Sequence, residues 1–403
     1  MKSARLDRVS VPMRLVAARE AVRPRILHLI NNFDIGGTER QAVELLKRVD
    51  RSRFDIRLAV LRSGGGFYKE IRGLFQEILE FPFHTFYGSG ARKQIARLRN
   101  ILIEEDIDIL HAHDFYAGVT GVLATRFTTT KIIVCQRHLK LSDRRIHHWG
   151  RYVMNRLADR VLVNAESIRD HVIASGSAVA DRVVVVRNGI DAKIETADAG
   201  RRAVLHASLC RELGLNSDAR FISAVGNLRP VKGHRYLLRA MVKVLQAHPK
   251  VHLLLIGEGP LREEITEEAR TLKVDSNVHL LGHRTDAADL MPAFEMVVLA
   301  SLHEGMPNTV MEAMATRVAV VATAVGGISE LVADGITGHL VPPADAEKLA
   351  EKLIAVLSDD SHREALATNG YRFICERFGM GKMVAAVEQL YDELHGRNSF
   401  VTR

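Results

Sequence analysis

The chain has 403 residues, of which 47% are hydrophobic and 26% are charged, a composition typical of a globular protein with two domains. No apolar run reaches the roughly 20 residues that a membrane-spanning helix needs. The three cysteines are widely spaced, which argues against a zinc site or a disulfide framework and fits a reducing cytoplasm: Cys135, Cys210 and Cys375.

The net positive charge of the protein comes entirely from the first half of the chain. Residues 1–200 hold 33 Lys and Arg against 23 Asp and Glu, a net +10, whereas residues 201–403 hold 23 against 25, a net −2. This asymmetry indicates an anionic partner for the first half, either a membrane surface or a phosphate-bearing acceptor. Residues 1–24 contain a weakly apolar patch that Arg14 interrupts, and no small-residue cleavage site follows. We therefore expect a loose basic extension rather than a signal peptide.

From residue 25 onward, short apolar runs alternate with amphipathic segments, which predicts a parallel sheet with helices between its strands. The first strand is predicted over residues 25–30 and the first helix over residues 39–49. Gly36 and Gly37 lie in the loop between them and permit a close backbone approach at the start of the helix. A second strand at 54–61, a helix near 68–77 and a basic helix from residue 91 follow.

The strand predicted over residues 106–114 places two histidines at its carboxyl end. A period of two puts His111 and His113 on one face, and ligands of open α/β sheets bind at this end. A hydrogen-bonded structural role is the plainer interpretation of both side chains. A metal site is not favoured, because the sequence offers no third ligand beside them.

The stretch from Arg137 to Arg160 carries seven Lys and Arg against two Asp, together with three more His and Trp149. It is either a solvated helix face or a basic, aromatic surface that rests on anionic lipid headgroups or on an acceptor diphosphate. Two more strands, near 158–165 and 181–191, complete the first half. Residues 192–216 are predicted to be a linker with a short helix.

The second half begins with a strand over residues 220–228 that contains Gly226, where the backbone can turn sharply. Arg229 and Lys232 lie before the next helix, where two cations can hold a diphosphate. The following strand runs into Gly257-Glu258-Gly259 and a helix, as in a dinucleotide fingerprint. However, Arg262 occupies the third glycine position and no acidic residue ends a strand about 20 positions later, so we discount NAD.

The stretch from Leu299 to Ala315 has the most informative pattern. An apolar strand ends near Ala300, Pro307 suits a first helical position, and the helix is predicted to begin near Asn308. Two carboxylates, Glu304 and Glu312, would lie beside a helix N-terminus whose free N–H groups and dipole attract phosphate. A ligand with both a diphosphate and hydroxyl groups, such as a nucleotide sugar, would fit there. A strand at 318–323 and a final amphipathic helix around 383–394 follow.

These motifs resemble those of the family 4 retaining glycosyltransferases. The run EGMPNTVMEAMA, with seven residues between Glu304 and Glu312, is similar to the family signature. The Gly36-Gly37 loop, the HAHD around His113, the loop from Gly226 to Lys232-Gly233, the GEGP loop and the GG-x-x-E ending at Glu330 are also similar. The resemblance spans residues 25–395 and departs at Arg317 and Ala319, where the family usually has a Gly and a Pro.

The resemblance implies an α/β protein of the GT-B fold, in which two doubly wound, Rossmann-like domains face a cleft and the C-terminal helix crosses back to the first domain. We accordingly expect a basic extension at 1–24, an acceptor-side domain at 25–195, a nucleotide-sugar domain at 196–380, and a returning helix and tail at 381–403.

The resemblance also implies the site residues. The Glu at 304 and the His at 113 would lie by the donor sugar, the Glu at 312 would bind the ribose hydroxyls, and the helix N-terminus would face the diphosphate. The implied catalytic residues are His113, Arg229, Lys232 and Glu304. The implied donor-binding residues are Gly37, Gly226, Gly257, Gly259, Asn308, Thr309, Val310 and Glu312.

The implied activity is transfer of a sugar from a nucleoside diphosphate, with a UDP-sugar expected, to a glycan or lipid-linked acceptor in cell-surface polysaccharide or glycolipid synthesis. The anomeric configuration would be retained, and we expect neither a metal nor another cofactor. We expect no nucleic-acid partner and a cytoplasmic protein that is peripheral on the inner face of the membrane, in contact with anionic lipid. Two alternatives stay open: a nucleotide-sugar epimerase of the same fold, and a non-catalytic partner that binds nucleotide sugars.

Overall fold

The computed structural model describes residues 23–83, 88–137, 145–191 and 199–398. Within these ranges the chain forms two parallel sheets with helices on their faces, as the sequence predicts. Residues 1–22, which make up nearly all of the predicted basic extension, lie outside the described residues.

The first sheet and its helices are built from residues 25–185. Its strands are β1 Arg25–Ile30, β2 Asp55–Val60, β3 Leu79–Glu80, β4 Ile109–Ala112, β5 Lys131–Gln136, β6 Arg160–Val163 and β7 Val183–Val185. Its helices are α1 Gly37–Arg48, α2 Tyr68–Arg72, α3 Ser89–Glu104, α4 Phe115–Thr125, α5 Arg145–Leu157 and α6 Glu166–Ala174. The described strands are all parallel, in the order β3-β2-β1-β4-β5-β6-β7.

The second sheet repeats this arrangement. Its strands are β8 Arg220–Val225, β9 Val251–Ile256, β10 Val278–Gly282, β11 Met296–Leu299, β12 Ala319–Thr323 and β13 His339–Val341. The helices from residue 199 onward are α7 Ala199–Leu213, α8 His234–Ala247, α9 Arg262–Thr271, α10 Ala287–Leu290, α11 Asn308–Ala315, α12 Ile328–Leu331, α13 Ala346–Ser358, α14 Asp360–Arg377 and α15 Met380–Asn398. The strand order is β10-β9-β8-β11-β12-β13.

The strand order places a reversal point in the middle of each sheet. In the first sheet β1 lies beside β4, and in the second β8 lies beside β11, so the connections leave in opposite directions from these pairs. The crevice at the carboxyl ends of such strands is where open α/β sheets bind ligands. Nearly all of the predicted site residues follow one of these four strands or β9.

The predicted elements are confirmed in kind, with changes at their boundaries. The first strand has the predicted bounds, and α11 begins at Asn308 as predicted, with Pro307 as its N-cap rather than its first residue. The helix near 68–77 ends at Arg72. The linker helix is longer than expected, because α7 runs over 15 residues. The strand β4 ends at Ala112, so His113 lies just after the strand.

The last helix crosses back to the first sheet, as the resemblance implies. In α15 the side chains of Met383, Val387 and Tyr391 are buried in the same apolar core as Ile26 of β1. Tyr391 is fully buried, and its ring meets the ring of Phe54 edge-on at 5.5 Å. Burial of this apolar surface ties the C-terminus of the chain to the first sheet.

Candidate functional site

Two glycine loops pack side by side at the carboxyl ends of β8 and β9. The backbone of Gly257 has φ +148°, and a Cβ there would lie 2.1 Å from the carbonyl oxygen of Gly226. A Cβ on Gly259 would lie 2.4 Å from the carbonyl oxygen of Leu228. Only glycine allows this approach, so the sequence folds here into a tight double loop with exposed backbone above it.

The loops after β8 and β11 bring two predicted catalytic residues together. The ammonium of Lys232 donates to Glu304 Oε1 at 2.6 Å, and the hydroxyl of Ser301 donates to the same oxygen at 2.7 Å. Arg229, by contrast, is exposed, and no described carboxylate pairs with it. Lys232 is therefore the cation that an ion pair holds in this loop, whereas Arg229 extends toward solvent.

The N-terminus of α11 faces the glycine loop of the first sheet. Asn308 Nδ2 donates to the carbonyl oxygen of Gly37 at 3.2 Å. Asn308 Oδ1 accepts from Gln41 Nε2 at 3.2 Å and from Asn188 Nδ2 at 3.0 Å. A Cβ on Gly305 would lie 1.9 Å from the carbonyl oxygen of Arg137. The structure thus closes the two halves of the chain around the start of α11.

The remaining α11 residues differ in what they can offer a ligand. The hydroxyl of Thr309 donates to the carbonyl oxygen of Val225 at 3.2 Å, and the side chain of Val310 is fully buried in the core. Both can therefore offer a ligand mainly their backbone N–H groups in the first helical turn. Burial raises the pKa of the Glu312 carboxyl, and the charge of Arg40 opposes this shift.

The first sheet presents a row of unpartnered polar atoms that sequence reasoning largely missed. A polar residue follows each of the four adjacent strands β1, β4, β5 and β6, and one side-chain atom of each is buried without a hydrogen-bond partner among the described residues. These atoms are Asn31 Oδ1, His113 Nδ1, Arg137 Nε and Asn164 Oδ1. The signal that could have found them is a polar residue directly after each apolar strand.

The expectation that no third potential ligand lies beside His111 and His113 was wrong. His28 of β1 lies opposite His111 in the sheet register, and ring nitrogens of His28, His111 and His113 all lie within 4.8 Å of one another. Sequence reasoning missed His28 because 83 residues separate it from His111. In this structure the rings bind each other and Tyr391, with His28 Nδ1 only 2.8 Å from His113 Nε2.

The GG-x-x-E element reaches the first half of the chain. The carboxylate of Glu330 accepts from the backbone N–H of Glu166 at 2.7 Å and pairs with Arg187 at 3.1 Å. Glu39, at the start of α1, is a further carboxylate that sequence reasoning missed. Burial raises its pKa, and the nearby charge of Asp114 adds to this effect.

An Asp-x-Asp sequence, a common metal-binding spelling, occurs at residues 106–108 but lies far from these groups. It precedes β4 and so lies at the opposite end of that strand from His113. Asp108 accepts from the backbone N–H of Arg25 at 2.8 Å, and Asp106 pairs with the guanidinium of Arg25 at 3.4 Å. These two carboxylates bind Arg25 at the amino-terminal ends of β1 and β4. They therefore cannot contact a ligand in the cleft, which lies at the carboxyl ends of the strands.

Comparison with family models identifies the chain. The model described as Glycosyltransferase Family 4 matches residues 35–194, and the one described as Glycosyl transferases group 1 matches residues 219–359. The chain is a glycosyltransferase of group 1, with a family 4 first domain. The family predicted from the sequence motifs is confirmed.

Two curated relatives cover most of this glycosyltransferase. The D-inositol 3-phosphate glycosyltransferase of Salinispora arenicola is 29% identical over 345 residues, 80% of this chain and 75% of the relative. The UDP-Gal:alpha-D-GlcNAc-diphosphoundecaprenol alpha-1,3-galactosyltransferase of Escherichia coli is 23% identical over 379 residues, 89% of this chain and 94% of the relative.

Solved structures confirm the fold. The crystal structure of Anabaena HepE in complex with UDP and glucose matches with a TM-score of 0.81 and 22% identity, covering 92% of this chain and all of that one. The sucrose-phosphate synthase of Thermosynechococcus elongatus matches with a TM-score of 0.76 and 18% identity, over 93% of this chain. At such identities the likeness concerns the fold, and it confirms the predicted GT-B architecture.

The exposed apolar side chains of the first half concentrate on α3 to α5. On α5, Ile146, Trp149 and Tyr152 recur every three residues and are exposed, Trp149 to 68%. The loop after α4 carries Phe127, exposed to 91%. The predicted basic surface is smaller than expected, because Arg160 is buried, while residues 138–144 lie outside the described residues. Among the described helices, none is long and apolar enough to cross a membrane.

Proposed function

We propose that this glycosyltransferase transfers a sugar from a nucleoside diphosphate, a UDP-sugar first of all, to an acceptor hydroxyl with retention of the anomeric configuration. The observation that carries the proposal is the convergence of Lys232, Glu304 and the N-terminus of α11 at the reversal point of the second sheet. Relatives support the donor class: HepE was crystallised with UDP and glucose, and the E. coli relative is named for UDP-Gal.

In the proposed reaction the leaving diphosphate lies against the first turn of α11. The backbone N–H groups of Thr309 and Val310 donate to it, and Lys232 turns from Glu304 to meet its growing negative charge. Arg229, which is exposed, adds a second cation. These groups supply the charge stabilisation that a divalent metal supplies in other transferases, so the proposal includes metal independence.

The donor sugar would lie between the sheets, with Glu304 on one side and His113 on the other. Glu312 would accept hydrogen bonds from the ribose hydroxyls, because it is a half-buried carboxylate one turn into the helix. The unpartnered atoms of Asn31 and Arg137 would meet acceptor hydroxyls or phosphate. With no carboxylate pair assigned as nucleophile, attack on the same face of the sugar that the diphosphate leaves is favoured.

The proposal is tested by ligand binding followed by product analysis. A thermal-shift panel of UDP-, GDP- and ADP-sugars identifies the donor, because a ligand at 100 times its dissociation constant stabilises by about 2.7 kcal/mol. In the Lys232→Ala variant, the free nucleoside diphosphate should still raise the melting temperature, but by less than in wild type. Arg239→Ala is the matched control, since Arg239 pairs with Glu268 outside the cleft. An epimerised free donor, or binding without any transfer, would instead indicate one of the two alternatives.

We further propose that the acceptor is lipid-linked and that the helices α3 to α5 dock on the inner face of the membrane. Trp149, Ile146 and Tyr152 would enter the interface, while the basic residues Arg92 and Arg97 of α3, both exposed, would meet anionic headgroups. Each basic residue near such a surface contributes about 1 kcal/mol, so the attachment is weak and salt-dependent. The E. coli relative, which is named for a diphosphoundecaprenol acceptor, supports this choice.

Sedimentation with liposomes tests the docking surface. Wild type should pellet with anionic vesicles and stay in solution with neutral ones or in about 1 M salt, where the Debye length falls to 3 Å. The variant Trp149→Ser with Arg156→Glu should lose the binding, and Arg372→Glu on α14 should keep it, because Arg372 is exposed on the other half of the molecule. Equal pelleting of the two variants would contradict a membrane role for α5.

A further inference from the structure

A buried chain of polar side chains runs from the last helix to His113. His113 Nε2 lies 2.8 Å from His28 Nδ1, and His28 Nε2 lies 3.3 Å from the hydroxyl of Tyr391. The same hydroxyl lies 2.7 Å from His111 Nδ1, and His111 Nε2 lies 3.2 Å from Cys135 Sγ. Each member is at most 3% exposed, and α15 contributes only Tyr391. The chain is therefore continuous from the C-terminal helix to the edge of the cleft.

Burial favours the neutral form of every side chain in this network. Burial lowers the pKa of His28 to about 3 and lowers the pKa of His111 and His113 well below the ordinary value. Burial also raises the pKa of the Cys135 thiol to about 11. A neutral imidazole carries one N–H and one lone pair, so each contact needs one donor and one acceptor. The direction of one hydrogen bond consequently fixes the direction of all the others.

The distances around Tyr391 favour one of the two directions. An O–H donor makes shorter hydrogen bonds than an N–H donor, which assigns the 2.7 Å contact to the Tyr391 O–H donating to His111. The 3.3 Å contact is then His28 Nε2–H donating to the Tyr391 oxygen. It follows that His28 Nδ1 accepts a hydrogen bond from His113 Nε2–H. The remaining nitrogen, His113 Nδ1, is left with a lone pair and no partner among the described residues.

We propose that Tyr391 is a positioning residue whose hydroxyl fixes the tautomer of His113, so that His113 Nδ1 is an acceptor for a hydroxyl of the donor sugar. The sugar contact rests on the function proposed above, whereas the tautomer does not. If the chain ran the other way, Tyr391 would donate to His28 and His113 Nδ1 would carry a proton. His113 would then be a hydrogen-bond donor, which would favour a different partner at the same place.

A metal ion is the competing occupant of the three histidines. The separation of 2.8 Å between His28 Nδ1 and His113 Nε2 is a direct hydrogen bond and leaves no space for an ion between them. Both ring nitrogens of His111 are also engaged, by Tyr391 and Cys135. The geometry therefore favours a hydrogen-bonded chain over a metal site.

The test is histidine ¹⁵N NMR of the full-length protein, which reports the protonated ring nitrogen directly. In wild type at pH 7.5 we expect the proton of His113 on Nε2. Tyr391→Phe keeps the ring packed against Phe54 but removes the link, so His113 should become a mixture of tautomers. With an identified donor, kcat/KM should fall about three- to tenfold, as expected for one misdirected hydrogen bond.

Two variants keep the test decisive. Tyr68→Phe removes a hydroxyl that donates to Glu80 and makes no hydrogen bond with the buried histidines. It should change neither the tautomer of His113 nor kcat/KM. Cys135→Ser places a stronger hydrogen-bond donor beside His111 and should shift the proton of His113 to Nδ1. This variant tests the direction of the hydrogen bonds if Tyr391→Phe fails to fold. An unchanged His113 tautomer in both Tyr391→Phe and Cys135→Ser would overturn the proposal, even in an active enzyme. Failure of wild type to transfer any sugar would overturn the proposed function and leave the tautomer result standing.

Discussion

The ammonium of Lys232 lies 2.6 Å from Glu304 Oε1, although the two residues belong to loops 72 positions apart. The loops follow β8 and β11, the strand pair at which the second sheet reverses its winding. The hydroxyl of Ser301 donates to the same carboxylate oxygen at 2.7 Å, so Glu304 has a hydrogen-bond donor besides Lys232. The pair therefore holds an ammonium group at the loop that leads into α11, the helix that we propose faces the diphosphate.

The positive charge of Lys232 should act in the chemical step rather than in binding of the donor. Lys232→Ala should lower kcat more than it raises KM, because the charge that Lys232 meets grows as the glycosidic bond breaks. The expected loss is about 2.7–4 kcal/mol, as for a preorganised oxyanion donor, and Arg229→Ala should act in the same way. Steady-state kinetics measures both, with Arg239→Ala as the control. A rise in KM with unchanged kcat would make both cations simple binding residues.

Glu312 should behave differently from Lys232. In the proposed complex, Glu312→Ala removes an acceptor for the ribose hydroxyls, which are bound equally in the ground state and in the transition state. We expect nucleoside-diphosphate affinity to fall by about 1–3 kcal/mol, measured by calorimetry, with kcat at saturating donor unchanged. A lower kcat at saturation would place Glu312 in the chemical step instead.

The closed arrangement should depend on Asn308, whose side chain joins Gly37, Gln41 and Asn188. Asn308→Ala removes three hydrogen bonds between the two halves, which weakens the closed state by about 1–3 kcal/mol. We expect a larger radius of gyration in small-angle scattering. The control is Asn277→Ala, because the amide of Asn277 donates to Val251 within the second half. Equal radii for both variants would mean that Asn308 does not hold the halves together.

Stability should fall as the pH drops below about 6.5. Burial, with the charge of Lys232, lowers the pKa of His234 from 6.5 to about 4. The unfolded chain therefore binds more protons than the folded one between pH 6.5 and 4, so this contribution is present above pH 6.5 and is lost toward pH 4. The slope from one such group is at most about 1.4 kcal/mol per pH unit. Urea unfolding from pH 7.5 to 4.5 should show a shallower slope for His234→Asn, and an unchanged slope would contradict this account.

The local features of the fold could be predicted from the sequence, and its long-range contacts could not. The bounds of β1 and the start of α11 at Asn308 are set by neighbouring residues, namely an apolar run and a proline. The pairing of Lys232 with Glu304 and of His28 with His113 depends on the order of the strands. That order follows from packing across the whole sheet, and no local pattern encodes it.

In the proposed reaction, cationic side chains of the protein, rather than a bound metal ion, stabilise the leaving diphosphate. The most direct measurement incubates EDTA-treated protein with α-linked UDP-sugars and vesicles that carry a lipid-linked diphosphate sugar, and follows the product by NMR. We expect UDP release, a new glycoside that keeps the α configuration, an unchanged rate in EDTA, and a loss of about 10²–10³ in kcat for Lys232→Ala. An inverted product, an epimerised free UDP-sugar, or activity that is lost in EDTA and restored by Mn²⁺ or Mg²⁺ would contradict it.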